Sequence, residues 1–590
     1  MARRRKTAVI SLNRTGPASS KKSIGKVIPA GMLFHIVLPL QPHVIKVNIS
    51  MVDASWDFET DYCVVGAGSA GCVIAARLSE EIASRVLLLE AGPRDWHPFI
   101  HIPAGYFYLL RSPRFNWMYS AEPEARTFNR NITFAAGRGL GGSSSINGIL
   151  FVRGQAAEYD RWANELDCEG WNYAALLPYF KKAETFVGDK SENRGSSGPV
   201  TVSPFRTIHP LARDFVRAAC QAGYDEVEDM NASVRDGASF FQQNRNGRFR
   251  ASTASAYLRP AQKKSRNLRV ETNAYCTRIL SSGKQIEGVE FVRDGNRTRV
   301  KVRREVIVSC GSIRSPHLLQ LSGIGDPSHL KEIGVPVTHA SPNVGRNLRD
   351  QYMVRVSHRT QGILTINEMN NFASIALESW KYAIANRGLL TLGASMAALY
   401  CKSSPAAKFS DLQLMFAPVS FSAAVPGKLE RSGGMTIGVW LSCPDSVGTV
   451  LARSSDPNDR PAINPNYLSA PTDWPRLLVG LRAARKVFQM DALKKWSVRE
   501  ITPGKEFVTD DELYDFARRA GSTAAHYTGT CRMGSSDLNV TDTQLRVRGV
   551  SGLRVVDNSV LPSPVSGGMN ATAIVVAERA ADLIRGRLTI

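Results

Sequence analysis

Between Asp61 and Glu90 the stretch DYCVVGAGSAGCVIAARLSEEIASRVLLLE changes its hydrophobic period twice. Tyr62 to Val65 is a short unbroken apolar run, the pattern of a strand buried on both faces. Six residues, Gly66-Ala67-Gly68-Ser69-Ala70-Gly71, separate it from Cys72 to Glu81, whose spacing and composition predict a helix. Val86 to Leu89 is a second apolar strand, and it ends on Glu90. Strand, glycine loop, helix and strand in that order predict the opening unit of an α/β fold. Farther along, Leu318, Leu319 and Leu321 predict an apolar helix with Ser315 as N-cap, Pro316 at its first position and Gly323 as its end. The runs LLTLGASMAALY from Leu389 and LQLMFAPVSF from Leu412 are alternating or apolar and predict strands of a further sheet. Ala571 to Leu583 predicts a last helix, which Asn570 is placed to cap.

Composition narrows the classes. With 590 residues, 43% hydrophobic and 21% charged, the chain is long enough for two or more domains with deep cores. The formal charge of +22 is concentrated at one end: residues 1–50 hold nine Lys/Arg and no Asp or Glu, and the rest holds 65 basic against 52 acidic side chains. No basic stripe with interleaved aromatics follows, so nucleic acid is not an expected partner. Nine cysteines, far apart and never in CxxC pairs, predict reduced, mostly buried thiols in a reducing compartment, with cytoplasmic location or peripheral membrane contact as the expectation. His97 and His101 are four apart, but Pro98 and Pro103 spoil a helical face, and no metal is expected. The apolar run Met32 to Leu40 is broken by His35 and Pro39 and is too short to cross a bilayer. Residues 1–56 are set apart as an N-terminal extension, read either as lying before an internal start at Met51 or as a targeting segment.

GAGSAG is GxGxxG, with its strand, its helix and, 19 residues beyond Gly71, its acid Glu90. The glycines allow a tight turn and close approach of backbone N–H groups to a pyrophosphate at a helix N-terminus. A carboxylate at Glu90 accepts ribose hydroxyl hydrogens and repels a 2′-phosphate, so FAD or NAD fits and NADP does not. The fingerprint alone does not separate FAD from NAD.

The stretch Gly137 to Gly148, GRGLGGSSSING, closely resembles the first signature of the glucose–methanol–choline (GMC) family of FAD-dependent oxidoreductases. GSIRSPHLLQLSGIG from Gly311 resembles its second signature. NWMYSAEPE from Asn116, ASTASAYLRPA from Ala251, NVGRNLRD from Asn343, PAINPNYLS from Pro461, GTCRMG from Gly529 and GLRVVDNSVLP from Gly552 follow in the family's order. The resemblance implies an FAD-binding Rossmann-like domain over 57–350, an α+β substrate domain over 351–522 whose sheet roofs the flavin, and a return to the FAD domain over 523–590. It implies cofactor contacts from Gly66, Gly68, Ser69, Ala70, Gly71 and Glu90 at the ADP end. Further contacts fall to Gly139, Gly142, Ser143, Asn147 and Gly148 in the first signature, and to Cys276, Asp557, Asn558 and Asn570. Some relatives bind FAD covalently through a histidine in the first signature; Ile146 stands there, so dissociable FAD is expected.

AHYTGTCRMG, from Ala525 to Gly534, resembles the family's catalytic loop, HPxGTCRMG, and Asn570 falls on its second catalytic position. Without that resemblance, a single His in a loop reads first as a structural or surface residue. With it, His526 is the expected base for an alcohol proton, and Asn570 the donor to the developing alkoxide. Three residues depart from the pattern: Tyr527 replaces Pro, Ala525 stands where choline-oxidising relatives tend to place an aromatic, and Gln351 replaces a common His. The missing aromatic weakens the case for a quaternary ammonium substrate. The expected activity is oxidation of a primary alcohol with electrons passed to a quinone-like acceptor. Alternatives are an oxygen-using alcohol oxidase, a choline dehydrogenase, a non-redox enzyme of the hydroxynitrile-lyase type and a non-catalytic flavin-binding protein.

Overall fold

Phe58–Val65 is a central strand because its apolar run has cover on both faces, and Cys63 and Val64 are fully buried. It pairs in parallel with Val86–Glu90 on one side and with Asn296–Val308 on the other. The seven-stranded sheet runs Leu268–Thr272, Val86–Glu90, Phe58–Val65, Asn296–Val308, Gln285–Arg293, Tyr275–Ser282. Leu553–Val555 pairs in parallel with Val306 to Val308, taking over where Gln285–Arg293 has left off. This is a computed structural model describing residues 55–232, 235–369, 371–421 and 429–588. Nearly all of the N-terminal extension therefore lies outside the described residues.

The last segment of the chain returns to the first. Helix Met569–Ile584 packs on helix Ser69–Leu78, and the fully buried Glu578 carboxylate takes Arg77 Nη2 at 2.7 Å and the Tyr257 hydroxyl at 2.8 Å. Burial of both helices brings the fingerprint and the C-terminal loops together at one end of the sheet.

A second seven-stranded sheet is antiparallel: Ser497–Thr502, Tyr352–Thr360, Gly434–Leu441, Leu412–Ala417, Ala397–Cys401, Gly237–Phe240, with Ser522–Thr523 also on Tyr352–Thr360. One of its strands thus comes from well before residue 350. The run from Leu389 makes a single 3₁₀ turn, Leu389–Thr391, before its strand starts at Ala397. Gly434–Leu441 is buried at every position. Helix Asp473–Gln489 closes on it at Gly480, where a Cβ would sit 2.6 Å from Val439 Cγ1.

The second-signature helix differs from the sequence expectation. It spans Gly311–Leu321 with Pro316 inside it, rather than starting at Ser315-Pro316. Pro316 has no N–H for the Ser312 carbonyl, and Thr530 Oγ1 donates to that oxygen instead at 2.7 Å. A long-range hydroxyl thus permits an internal proline that local rules place at a helix start.

Candidate active site

The fingerprint loop is built on contacts that exclude side chains. Gly66 has φ +100°, and a Cβ there would lie 2.5 Å from the Ser309 carbonyl oxygen; one on Gly71 would lie 1.8 Å from Gly66 O. Gly68 caps helix Ser69–Leu78 without any side-chain hydrogen bond, so Ser69, Ala70 and Gly71 open the helix with their amides at its positive end. The first-signature loop lies directly on this one: Gly141 N donates to Ala67 O at 2.8 Å, and a Cβ on Gly142 would meet Gly68 Cα at 2.7 Å. Gly148 touches the second sheet's lead-in, since its Cβ would lie 2.5 Å from Ala394 Cβ.

Glu90 has a task that spacing did not reveal. Its buried carboxylate accepts Ala67 N at 2.9 Å, Gly92 N at 2.8 Å and Gly139 N at 2.9 Å, tying both glycine loops to the end of their strand. Burial pushes its pKa up, against these three hydrogen bonds. Ser143 is exposed in the Gly142–Ser145 turn, and Asn147 is partly exposed with its Oδ1 accepting Ile149 N and Arg250 Nη1. Arg250 is itself buried, donates to the carbonyls of Ile100 and Asn147, and is pulled down to about 9 by burial. Nothing in its sequence context marked it.

Asp557 binds the second signature: Gly311 N donates to Oδ2 at 2.8 Å, Ser315 Oγ to the same oxygen at 2.5 Å, and Ser559 N to Oδ1 at 2.8 Å. The carboxylate therefore stands at the N-terminus of helix Gly311–Leu321, where the dipole favours it. Asn558 carries a buried Oδ1 without a protein partner. Cys276, in the strand Tyr275–Ser282, is buried; burial first, then the neighbouring Cys63 thiol, raises its pKa.

His526 is held at two points by adjacent residues 175 and 176 positions away. Its backbone N–H donates to Asp350 Oδ1 at 2.9 Å, and its Nδ1 lies 2.6 Å from Gln351 Oε1. Asp350 also accepts the Thr523 hydroxyl at 2.5 Å and the Tyr467 hydroxyl, and burial pushes its carboxyl up to about 6. The His526 side chain keeps part of its surface exposed, yet dense surrounding protein pulls its pKa down to about 4. Ala525 is exposed with φ +62°, while Tyr527 turns inward and stacks on Phe134 at 4.6 Å between ring centroids. Tyr527 is thus a packing residue of the hydrophobic core built on the antiparallel sheet, the second core of the chain.

Asn570 does not cap the last helix, which begins at Met569 with Gly568 as its N-cap. Its Oδ1 accepts Ser69 Oγ at 2.8 Å, which leaves the buried Nδ2 without a partner. The loop before it is pinned by Glu158, fully desolvated, which accepts Ser566 N and Ser566 Oγ, both at 2.7 Å. Glu158 lies 408 residues from Ser566 and carried no signal in the sequence. The arrangement offers an anion-binding helix end, an orphan amide donor and a neutral imidazole. A dinucleotide with a redox ring fits that donor set.

Models of the GMC oxidoreductase family match residues 60–353 and 444–577. The mitochondrial choline dehydrogenase of Mus musculus is 39% identical over 545 residues, covering 90% of each chain. The oxygen-dependent choline dehydrogenase of Chromohalobacter salexigens is 37% identical over 537 residues, covering 90% of this chain and 95% of its own. Among solved structures, a formate oxidase from Aspergillus oryzae described for its FAD modification superposes with TM-score 0.84 at 25% identity, over 90% of this chain and 99% of that one.

Proposed function

The chain belongs to the GMC oxidoreductase family, and on that premise we propose that it oxidises a primary alcohol to the aldehyde with His526 as base. It is an FAD-dependent enzyme acting on CH–OH donors. When bound, FAD supplies the two-electron oxidant that accepts hydride from the alcohol carbon. The residues proposed to hold it are the glycines of the two loops, Ser69, Ala70, Glu90, Ser143, Asn147, Cys276, Asp557 and Asn558. Non-covalent attachment is supported by Ile146, an aliphatic side chain packed among Ile100, Leu109 and Phe115.

His526 is neutral at ordinary pH, so it can take the hydroxyl proton as the C–H bond breaks. Asn570 Nδ2 donates to the oxygen as its charge grows, without supplying a competing base. Asp350 fixes the loop and thereby the position of the ring. The observation that carries the reading is an imidazole anchored by Asp350 and Gln351 together with an orphan amide donor that Ser69 ties to the glycine cradle. Residues 57–350 with 523–590 are proposed as the FAD-binding part and 351–522, with the Gly237–Phe240 strand, as the substrate part. Among the described residues no helix is long and apolar enough to cross a membrane.

Choline is the second reading, favoured by the 39% identity to choline dehydrogenase and weakened by Ala525, which offers no aromatic face to a quaternary ammonium. The test is an anaerobic absorbance spectrum of the holoenzyme mixed with aliphatic, aromatic and polyether alcohols and with choline. Bleaching of the oxidised flavin band by one class identifies the substrate, and a quinone-like dye that restores the band faster than oxygen supports a dehydrogenase. A flavin that stays oxidised while a cyanohydrin is cleaved assigns a lyase instead.

A further inference from the structure

Gln351 is fully buried, and every polar atom of its amide is in use. Its Nε2 faces two carbonyl oxygens, Ser442 O at 2.7 Å and Val565 O at 3.0 Å. Carbonyls only accept, so the amide nitrogen must be the atom on that side, and Oε1 must be the atom 2.6 Å from His526 Nδ1. An amide oxygen has no hydrogen to give, so the hydrogen in that short contact belongs to Nδ1. The opposite tautomer would set two lone pairs against each other. We infer that Gln351 is a positioning residue that holds the neutral His526 ring in the Nδ1–H form, leaving Nε2 as the atom that receives the alcohol proton.

The anchoring is cooperative with the rest of the site. Ser442 follows the Gly434–Leu441 strand, and Val565 belongs to the loop that leads to Asn570, so one amide sets the base relative to the second catalytic position. The same Oε1 remains an acceptor once the ring is protonated, so it stabilises the imidazolium as well as selecting the tautomer. The other titratable groups around the loop are Asp350, which takes the His526 backbone N–H, Tyr467 hydrogen-bonded to Asp350, and Tyr527 stacked on Phe134. None of these occupies Nδ1. Burial is what lowers the ring's pKa, so a neutral amide partner leaves a base that titrates alone. At the position where the family pattern commonly has His, a second imidazole would bring its own proton and its own tautomer choice.

This inference rests on the assignment of His526 as base, but its first readout does not require turnover. Holoenzyme labelled with ¹⁵N-histidine, with His526 assigned by its loss in His526→Ala, is placed in a two-bond ¹H–¹⁵N correlation spectrum near neutral pH. The expected result is a protonated Nδ1 and an unprotonated Nε2. An Nε2–H ring in the wild type overturns the inference whatever the activity. In Gln351→Leu the Nδ1–H preference should be lost and the rate of flavin reduction at saturating alcohol should fall about 10- to 100-fold, with less than about threefold change in substrate affinity. Gln351→Glu keeps an acceptor at Nδ1, and its second oxygen, facing the Ser442 and Val565 carbonyls in a buried site, should hold a proton as the amide does; this variant should keep the Nδ1–H tautomer and a rate of flavin reduction well above that of Gln351→Leu. A role in packing alone would lower thermal stability in both variants and leave the tautomer unchanged in Gln351→Leu. If no alcohol reduces the flavin, the proposed activity fails while the spectrum still decides the tautomer; if Gln351→Leu does not fold, the wild type and Gln351→Glu decide it.

Discussion

At the glycine cradle the working parts are backbone groups, and at the proposed catalytic end they are side chains. Glu90 reaches its three backbone donors across 2, 23 and 49 residues, and the tight approaches among Gly66, Gly68, Gly71 and Gly142 are between main-chain atoms. His526 is set by Asp350 and Gln351, and Asn570 by Ser69 at a separation of 501 residues. The first kind of site is specified by which residues lack a Cβ, and that is written locally. The second depends on where two sheets and a returning helix bring distant side chains, so we expect its chemistry to be separable from cofactor binding.

The largest test of that separation is His526→Ala. Flavin reduction by alcohol should slow by about 10²–10⁴-fold, the usual worth of a positioned base, while the protein still purifies with its full complement of flavin. Loss of flavin in this variant would show that the two regions are one unit. Next in size is Glu90→Ala, which strips the acceptor from three backbone N–H groups in a buried setting. We expect at least about 3 kcal/mol of lost stability and a protein that releases flavin on dilution, read from the melting temperature and the ratio of flavin to protein absorbance. Gly480→Ala lies on the opposite side of the comparison. Its added methyl meets Val439 and Leu412 in the second core, so about 1–3 kcal/mol of stability should be lost with flavin content unchanged.

The same contrast explains what the sequence disclosed. Strand, glycine loop, helix and strand from Phe58 to Glu90 were legible because period and glycine placement are local properties. The start of helix Gly311–Leu321 is not legible locally, because Ser315-Pro316 obeys capping rules that Thr530 and Asp557 override from afar. Asn570 also reads as a helix cap, but the helix starts before it, at Met569, and its side-chain oxygen accepts from Ser69. Gln351 stood out as a departure from a pattern, yet its consequence needed three partners from separate segments. Glu158 and Arg250 were invisible: a buried charge is recognised by what surrounds it, and those neighbours are far off in sequence.

The smallest effect expected is a near absence of one, and it bears on how finely the catalytic end is balanced. The His526 pKa is lowered to about 4, below its unfolded value, so its burial contributes stability that is present above about pH 6.5 and lost as pH falls through 4. Asp350 runs the other way: with its pKa raised to about 6, its contribution is present at low pH and lost as pH rises through 6. Between pH 4 and 6 the two slopes oppose each other, and the melting temperature of the wild type should be nearly flat there. Asp350→Asn removes one slope and exposes the other, so that variant should gain stability steadily as pH is raised from about 4 to 6.5. Its rate of flavin reduction should vary less than about twofold between pH 6 and 8 and fall only near 4, where the imidazole is taken up by protons. An acid limb near 6.5 in Asp350→Asn would mean that His526 is solvated like a free imidazole, and that the catalytic end is not a dry site built from side chains.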